Sequence, residues 1–122
     1  MIHEAFERYL SRAGLLDDFT VQYLMWSEDP DSRTQQYAVI QPDGGGGRFA
    51  DLGADDNVML ILVSAQKDPE PVLTRAKNIL SFVAEFPDDC ELNSIYNLGG
   101  LTKPIPTEEG RFIIQLAFRC TS

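Results

Sequence analysis

One histidine, His3, and two cysteines, Cys90 and Cys120, are the residue types most suited to nucleophilic or metal chemistry. A nucleophile needs an activating base within hydrogen-bond reach. His3 falls near the start of an expected helix, on its solvent side, and nothing in the spacing couples it to either cysteine. The cysteines are too far apart in sequence to read as a metal motif, so free thiols are expected, with a Cys90–Cys120 bridge as the alternative. Three acidic clusters, Glu28-Asp29-Pro30-Asp31, Asp55-Asp56 and Asp88-Asp89, carry oxygen ligands. None has the alternating ligands, central glycine and distal glutamate of a calcium loop. No pair of carboxylates sits isolated in an apolar setting that would split their pKa values for acid–base work.

The run Gly44-Gly45-Gly46-Gly47 invites a phosphate-loop reading. Such a loop needs spaced glycines that feed a helix, with a lysine and a hydroxyl at its end. Here Arg48-Phe49-Ala50-Asp51 follows and no helical pattern begins. A glycine run is costly to order, so a mobile tip, or a loop that orders on assembly, is expected. Tyr23, Trp26 and Tyr37 lie at strand spacing and are expected to pack rather than to form a ligand platform. These readings predict no catalytic residue, no cofactor and no metal.

Nineteen acidic residues against ten basic ones give a net charge of −9. That field repels phosphate backbones, so direct nucleic-acid binding is not expected. No apolar run reaches the roughly 18 residues of a membrane-spanning helix. The opening stretch Met1–Arg8 carries acidic residues and no apolar block, unlike a signal peptide.

The elements that would hold any site follow from periodicity. Ile2, Phe6, Tyr9, Leu10 and Ala13 share one helical face, predicting a helix over Ile2–Ala13 that stops at Gly14. Thr20–Trp26 and Gln36–Gln41 read as strands, joined as a hairpin across the polar stretch Ser27–Thr34. Val58–Val63 is apolar throughout and so needs cover on both faces, at the sheet's centre or at a subunit boundary. Asp68 is the expected N-cap, and Pro69 the first residue, of a second helix with a stripe at Val72, Ala76, Ile79, Leu80 and Val83, ended by Pro87. Glu91–Leu98 is a weak strand or turn and Gly99–Thr107 irregular. In the last strand, Arg111–Arg119, Phe112, Ile114, Leu116 and Phe118 point one way. Arg111, Ile113, Gln115, Ala117 and Arg119 point the other, and Ile113 and Ala117 leave that second face partly apolar. The fold expected is one α+β domain over residues 1–122: α-β-β-β-α-β, a mixed, mostly antiparallel sheet of four to five strands with two helices on one face.

The apolar strand, the partly apolar second face and the long loops favour an interaction protein over a bare monomer. Gly99-Gly100-Leu101, the stretch Ile105-Pro106-Thr107-Glu108-Glu109-Gly110-Arg111 and the alternating strand after it resemble small phage tail proteins. In overall layout the chain is similar to the tail terminator, or tail completion, proteins of long-tailed bacteriophages. The resemblance implies a structural, non-enzymatic protein of the virion tail, assembled in the host cytoplasm. It implies a hexameric ring on the tail tube that stops polymerisation of the tube protein and offers a surface to the head-completion connector. The ring's acidic lumen would repel passing DNA. By position, the contact elements implied are the Asp43–Arg48 and Glu28–Arg33 loops and the Gly99–Arg111 segment. The interface residues expected are Arg48, Arg111, Ile113, Gly44, Gly45, Gly46, Gly47, Lys103 and Ile105, with Arg48 and Arg111 in inter-subunit ion pairs. The alternative is an acidic module that mimics DNA and inhibits a host enzyme.

Overall fold

The first helix, α1 (Ile2–Arg12), forms where the apolar stripe predicts it. Its stripe buries Ala5, Phe6, Tyr9 and Leu10. Ala13 lies past the last turn and is exposed. The helix ends in paired backbone bonds: Gly14 N–H donates to Ser11 O at 3.0 Å and Leu15 N–H to Leu10 O at 3.1 Å. The closing residue must adopt a left-handed conformation, and Gly14 does so at φ 73°. The computed structural model describes residues 2–23, 35–42, 55–88, 94–107 and 110–121.

The remaining elements are β1 (Phe19–Tyr23), β2 (Gln36–Pro42), β3 (Asp55–Val63), α2 (Glu70–Glu85), β4 (Ser94–Leu98), β5 (Ile105–Pro106) and β6 (Phe112–Thr121). They make an α+β fold with one mixed sheet of six strands in the order β1-β2-β3-β6-β4, with β5 also paired to β6. The sheet exceeds the expected count because Gly99–Thr107, read as irregular, contributes the two-residue β5.

One expectation about connection is corrected. β1 and β2 pair parallel, not as a hairpin. A parallel pair needs a crossover of about a dozen residues, and the stretch between the two strands is long enough to supply one. The α2 crossover does leave β3 and β4 running the same way, since both pair antiparallel to β6. They are not neighbours, because the C-terminal strand inserts between them. That position suits the two most apolar strands, which gain cover from each other along the whole of β3.

Register sets the core. Ala38, Leu62 and Ile114 align in one row across β2, β3 and β6; Ile40, Leu60 and Leu116 make the next; Val58 faces Phe118. All are buried, and Ile95 of β4 opposes the buried Cys120. Both helices pack on this face: α1 through Phe6 and Leu10, α2 through Val72, Ala76, Ile79 and Val83. Phe6 meets Phe118 at 4.9 Å between ring centroids. Complete burial of a side chain of this size stabilises by about 1.5–3 kcal/mol.

The start of α2 differs by one residue from expectation. Pro69 occupies the N-cap position with no side-chain cap bond, and Asp68 instead bridges to Ala65. α2 also fastens the chain between α1 and β1. The guanidinium of Arg75 donates to Leu15 O at 2.7 Å and Asp17 O at 2.9 Å, and lies over the Phe19 ring at 5.1 Å.

Candidate assembly surface

Of the residues suited to chemistry, the structure describes only some. Cys120 is buried under the helices, while Cys90 lies outside the described residues, as do the Glu28–Asp31 cluster and the tetraglycine run. Among the described residues, no group of three His, Cys, Asp or Glu side chains is placed to hold a metal ion. No described helix is long and apolar enough to cross a membrane. A cleft of about 460 Å³ opens between α2 and β4 beside Leu80, Val83 and Ile95. Its amide, Asn97, is engaged: Nδ2 donates to Ala117 O at 3.0 Å and Oδ1 accepts from Gly100 N–H at 2.8 Å. A second cleft, about 340 Å³, lies beside Tyr9, Phe82 and Phe86. There the Tyr9 hydroxyl donates to Phe86 O at 2.6 Å. Both clefts are open to the surface: exposed Ala84, Pro87 and Tyr96 line the first, and exposed Arg12, Ala13, Phe86 and Asp88 the second.

The sheet's second face offers a different kind of site. It is uneven. At the β2–β3 side Tyr37, Val39 and Val63 are fully buried, whereas Met59 and Ile61 are half-buried. Toward β4, β5 and β6 the apolar side chains reach solvent. Tyr96 is 57% exposed, Ile105 50% and Leu98 43%. Register places them on one face: Tyr96 opposes Arg119, Leu98 opposes Ala117, and Ile105 opposes Ile113. Ile113 and Ala117 are half-buried beneath them.

One continuous stretch of chain, residues 94–107, supplies this margin along the outer edge of β6. β4 pairs with its far end and β5 with its near end. Between them the Thr102 hydroxyl donates to Gln115 O at 2.9 Å. Gly99 and Gly100, at φ 89° and 72°, make the bend that leaves β4. Leu101 is exposed beyond the bend, as is Lys103.

Arg111 is not at the surface. The expectation was an exposed cation at a subunit boundary; the structure buries its side chain completely. One guanidinium nitrogen donates to Gln35 O at 2.7 Å and Ser64 O at 2.9 Å, and the group lies over the Tyr37 ring at 5.3 Å. Delocalised charge and planarity suit arginine to this stacked, carbonyl-bound position. Of the other expected interface residues, Lys103 and Ile105 are exposed and Ile113 half-buried. Arg48 and Gly44–Gly47 lie outside the described residues, as does the Glu28–Arg33 loop. Sequence reasoning missed Tyr96 and Leu98. The signal was present in Ser94–Leu98, where Ile95 alternates with Tyr96 and Leu98 across the pleat, but a strand so short carries little periodicity.

The family model described as phage tail termination protein matches residues 1–122. The chain belongs to that family. No curated protein matches it. Membership places the protein in the virion tail, with a structural role in ending the tail and with partners among the components of tail assembly. Among the described residues, the margin of β4, β5 and β6 carries the exposed side chains of Tyr96, Leu98 and Ile105, with Leu101 beside them; Phe86, just past α2, is exposed as well.

Proposed function

We propose that this protein closes the growing tail as a ring of identical subunits, without catalysis. The ring halts polymerisation of the tube protein and presents a surface to the head-completion connector. A hexamer is the expected ring, and assembly takes place in the host cytoplasm. The reading rests on family membership across residues 1–122. The apolar margin formed by Tyr96, Leu98, Ile105 and Ile113 supports it. Single exposed apolar residues are normal on a monomer, but a contiguous patch marks a contact. The occupant is the neighbouring subunit: a head-to-tail contact closes into a ring when its rotation closes. Lys103 stands beside this margin as one of few cations in an acidic chain, suited to a carboxylate of the neighbour.

Electron microscopy of the full-length protein mixed with purified tail tubes tests the proposal. Rings seated on tube ends, and tubes that no longer elongate when tube protein is added, are the expected result. Bare ends and continued elongation at saturating protein would refute it.

A further inference from the structure

We propose that Arg111 is a positioning residue for assembly: its buried guanidinium fixes the root of the β5–β6 hairpin and so holds the exposed arm, Leu101–Thr107, against the sheet. The inference rests on the reading above that the arm meets a neighbouring subunit. The arm's own ladder is weak. β5 contributes two paired residues, Ile105 opposite Ile113 and Pro106 opposite Phe112, and a proline has no N–H to donate. Besides the Thr102 hydroxyl bond to Gln115 O, placement of the arm therefore falls on its root. There Thr107 N–H donates to Arg111 O at 2.8 Å, and Arg111 N–H donates to Thr107 Oγ1 at 3.1 Å. Gly110 closes the turn at φ 85° by donating to Thr107 O at 3.1 Å.

The root is tied to the rest of the fold from two sides. Lys67 N–H donates to Gly110 O at 2.8 Å, joining the turn to the start of the α2 crossover. The Arg111 side chain reaches the other way, to Gln35 at the entrance of β2 and to Ser64 just past β3. The Ser64 hydroxyl accepts from Phe112 N–H at 2.8 Å, so both the backbone and the side chain of this strand start are held at one point. Without the guanidinium, the two carbonyls lose a charged donor inside the protein and the hairpin root keeps its backbone bonds but loses its side-chain tie to Gln35 and Ser64. The helix-side core is built from the other face of the sheet.

Three full-length variants test the inference by peptide-level hydrogen exchange and by tube capping. In Arg111→Met, exchange across residues 101–110 should rise at least tenfold. Exchange in β3 and the helices should stay near wild type, and capping should be lost. Arg111→Lys is one bond shorter and its ammonium more strongly hydrated, so it should fold with a smaller rise in arm exchange and partly reduced capping. Val83→Ala, a core cut in α2 remote from the arm, should lower stability while arm exchange and capping stay near wild type. If Arg111→Met does not fold, Arg111→Lys carries the test. Wild-type arm exchange in any folded Arg111 variant would overturn the inference, as would capping lost equally in Val83→Ala. A loosened arm with full capping would leave Arg111 as the anchor but refute the arm's part in assembly. Capping by Ile105→Asp at the wild-type level would refute the proposed contact independently of Arg111.

Discussion

Replacing Ile105 by aspartate separates assembly from folding. The side chain is 50% exposed, on a two-residue strand at the sheet margin. Full burial of an isoleucine is worth about 1.5–3 kcal/mol, so covering the half still exposed in a subunit contact contributes about 1 kcal/mol. Aspartate forfeits that, and its carboxylate must be desolvated or the contact must open, at about 1–3 kcal/mol more. The total, roughly 2–4 kcal/mol per contact, weakens each pairwise association by about 30- to 700-fold. The isolated chain should hardly notice. Aspartate at an exposed strand position costs less than about 1 kcal/mol. Leu116→Ala, which empties a fully buried site on β6, should by contrast lower stability by about 2–5 kcal/mol. The assay is the fraction of tail tubes capped against protein concentration, with urea unfolding of the monomer alongside. Wild-type capping by Ile105→Asp would refute the reasoning. A loss of stability as large as that of Leu116→Ala would show instead that Ile105 belongs to the core.

Other outcomes follow from particular contacts. Arg75→Ala removes two bonds to the Leu15 and Asp17 carbonyls and the stack on Phe19, and should cost about 2–3 kcal/mol in urea unfolding. Gly14→Ala forces a left-handed alanine whose Cβ would sit 3.3 Å from Asp17 Oδ2, and should cost about 1–2 kcal/mol by the same measure. A net charge of −9 per subunit opposes association most at low ionic strength. Sedimentation of the pure protein should therefore show larger species as salt rises, and no change across the series would count against charge as the brake on premature ring closure.

Both helices and the last strand were legible because their patterns repeat several times. The α2 stripe recurs over about three turns, and β6 alternates along its whole length, so local physics alone selects the element and its buried face. Val58–Val63 showed by composition that it needs cover on both faces, at the sheet's centre or at a subunit boundary, and β3 sits between β2 and β6. Pairing direction was not legible. Thr20–Trp26 and Gln36–Gln41 have the same residue content whether they run parallel or antiparallel, and only the path of the chain between them decides. The cap of α2 slipped by one residue because Asp68 and Pro69 each suit a helix start.

The candidate surface divides in the same way. From the sequence came the α+β class, the apolar second face of the last strand, the lead-in Ile105–Arg111 and the resemblance that family membership now supports. Those depend on residue type and short-range period. Only the tertiary structure decided which part of the second face is covered. Tyr37, Val39 and Val63 are buried while Tyr96, Leu98 and Ile105 are exposed, although all are apolar and all alternate. Arg111 shows the same limit most sharply. A lone arginine at a strand start in an acidic chain reads as a surface cation. Its burial is set by Gln35 and Ser64, distant in sequence, whose carbonyls meet only when β2, β3 and β6 are assembled. Period and composition are local properties of the chain, whereas solvent exposure and hydrogen-bond partnership belong to the folded neighbourhood.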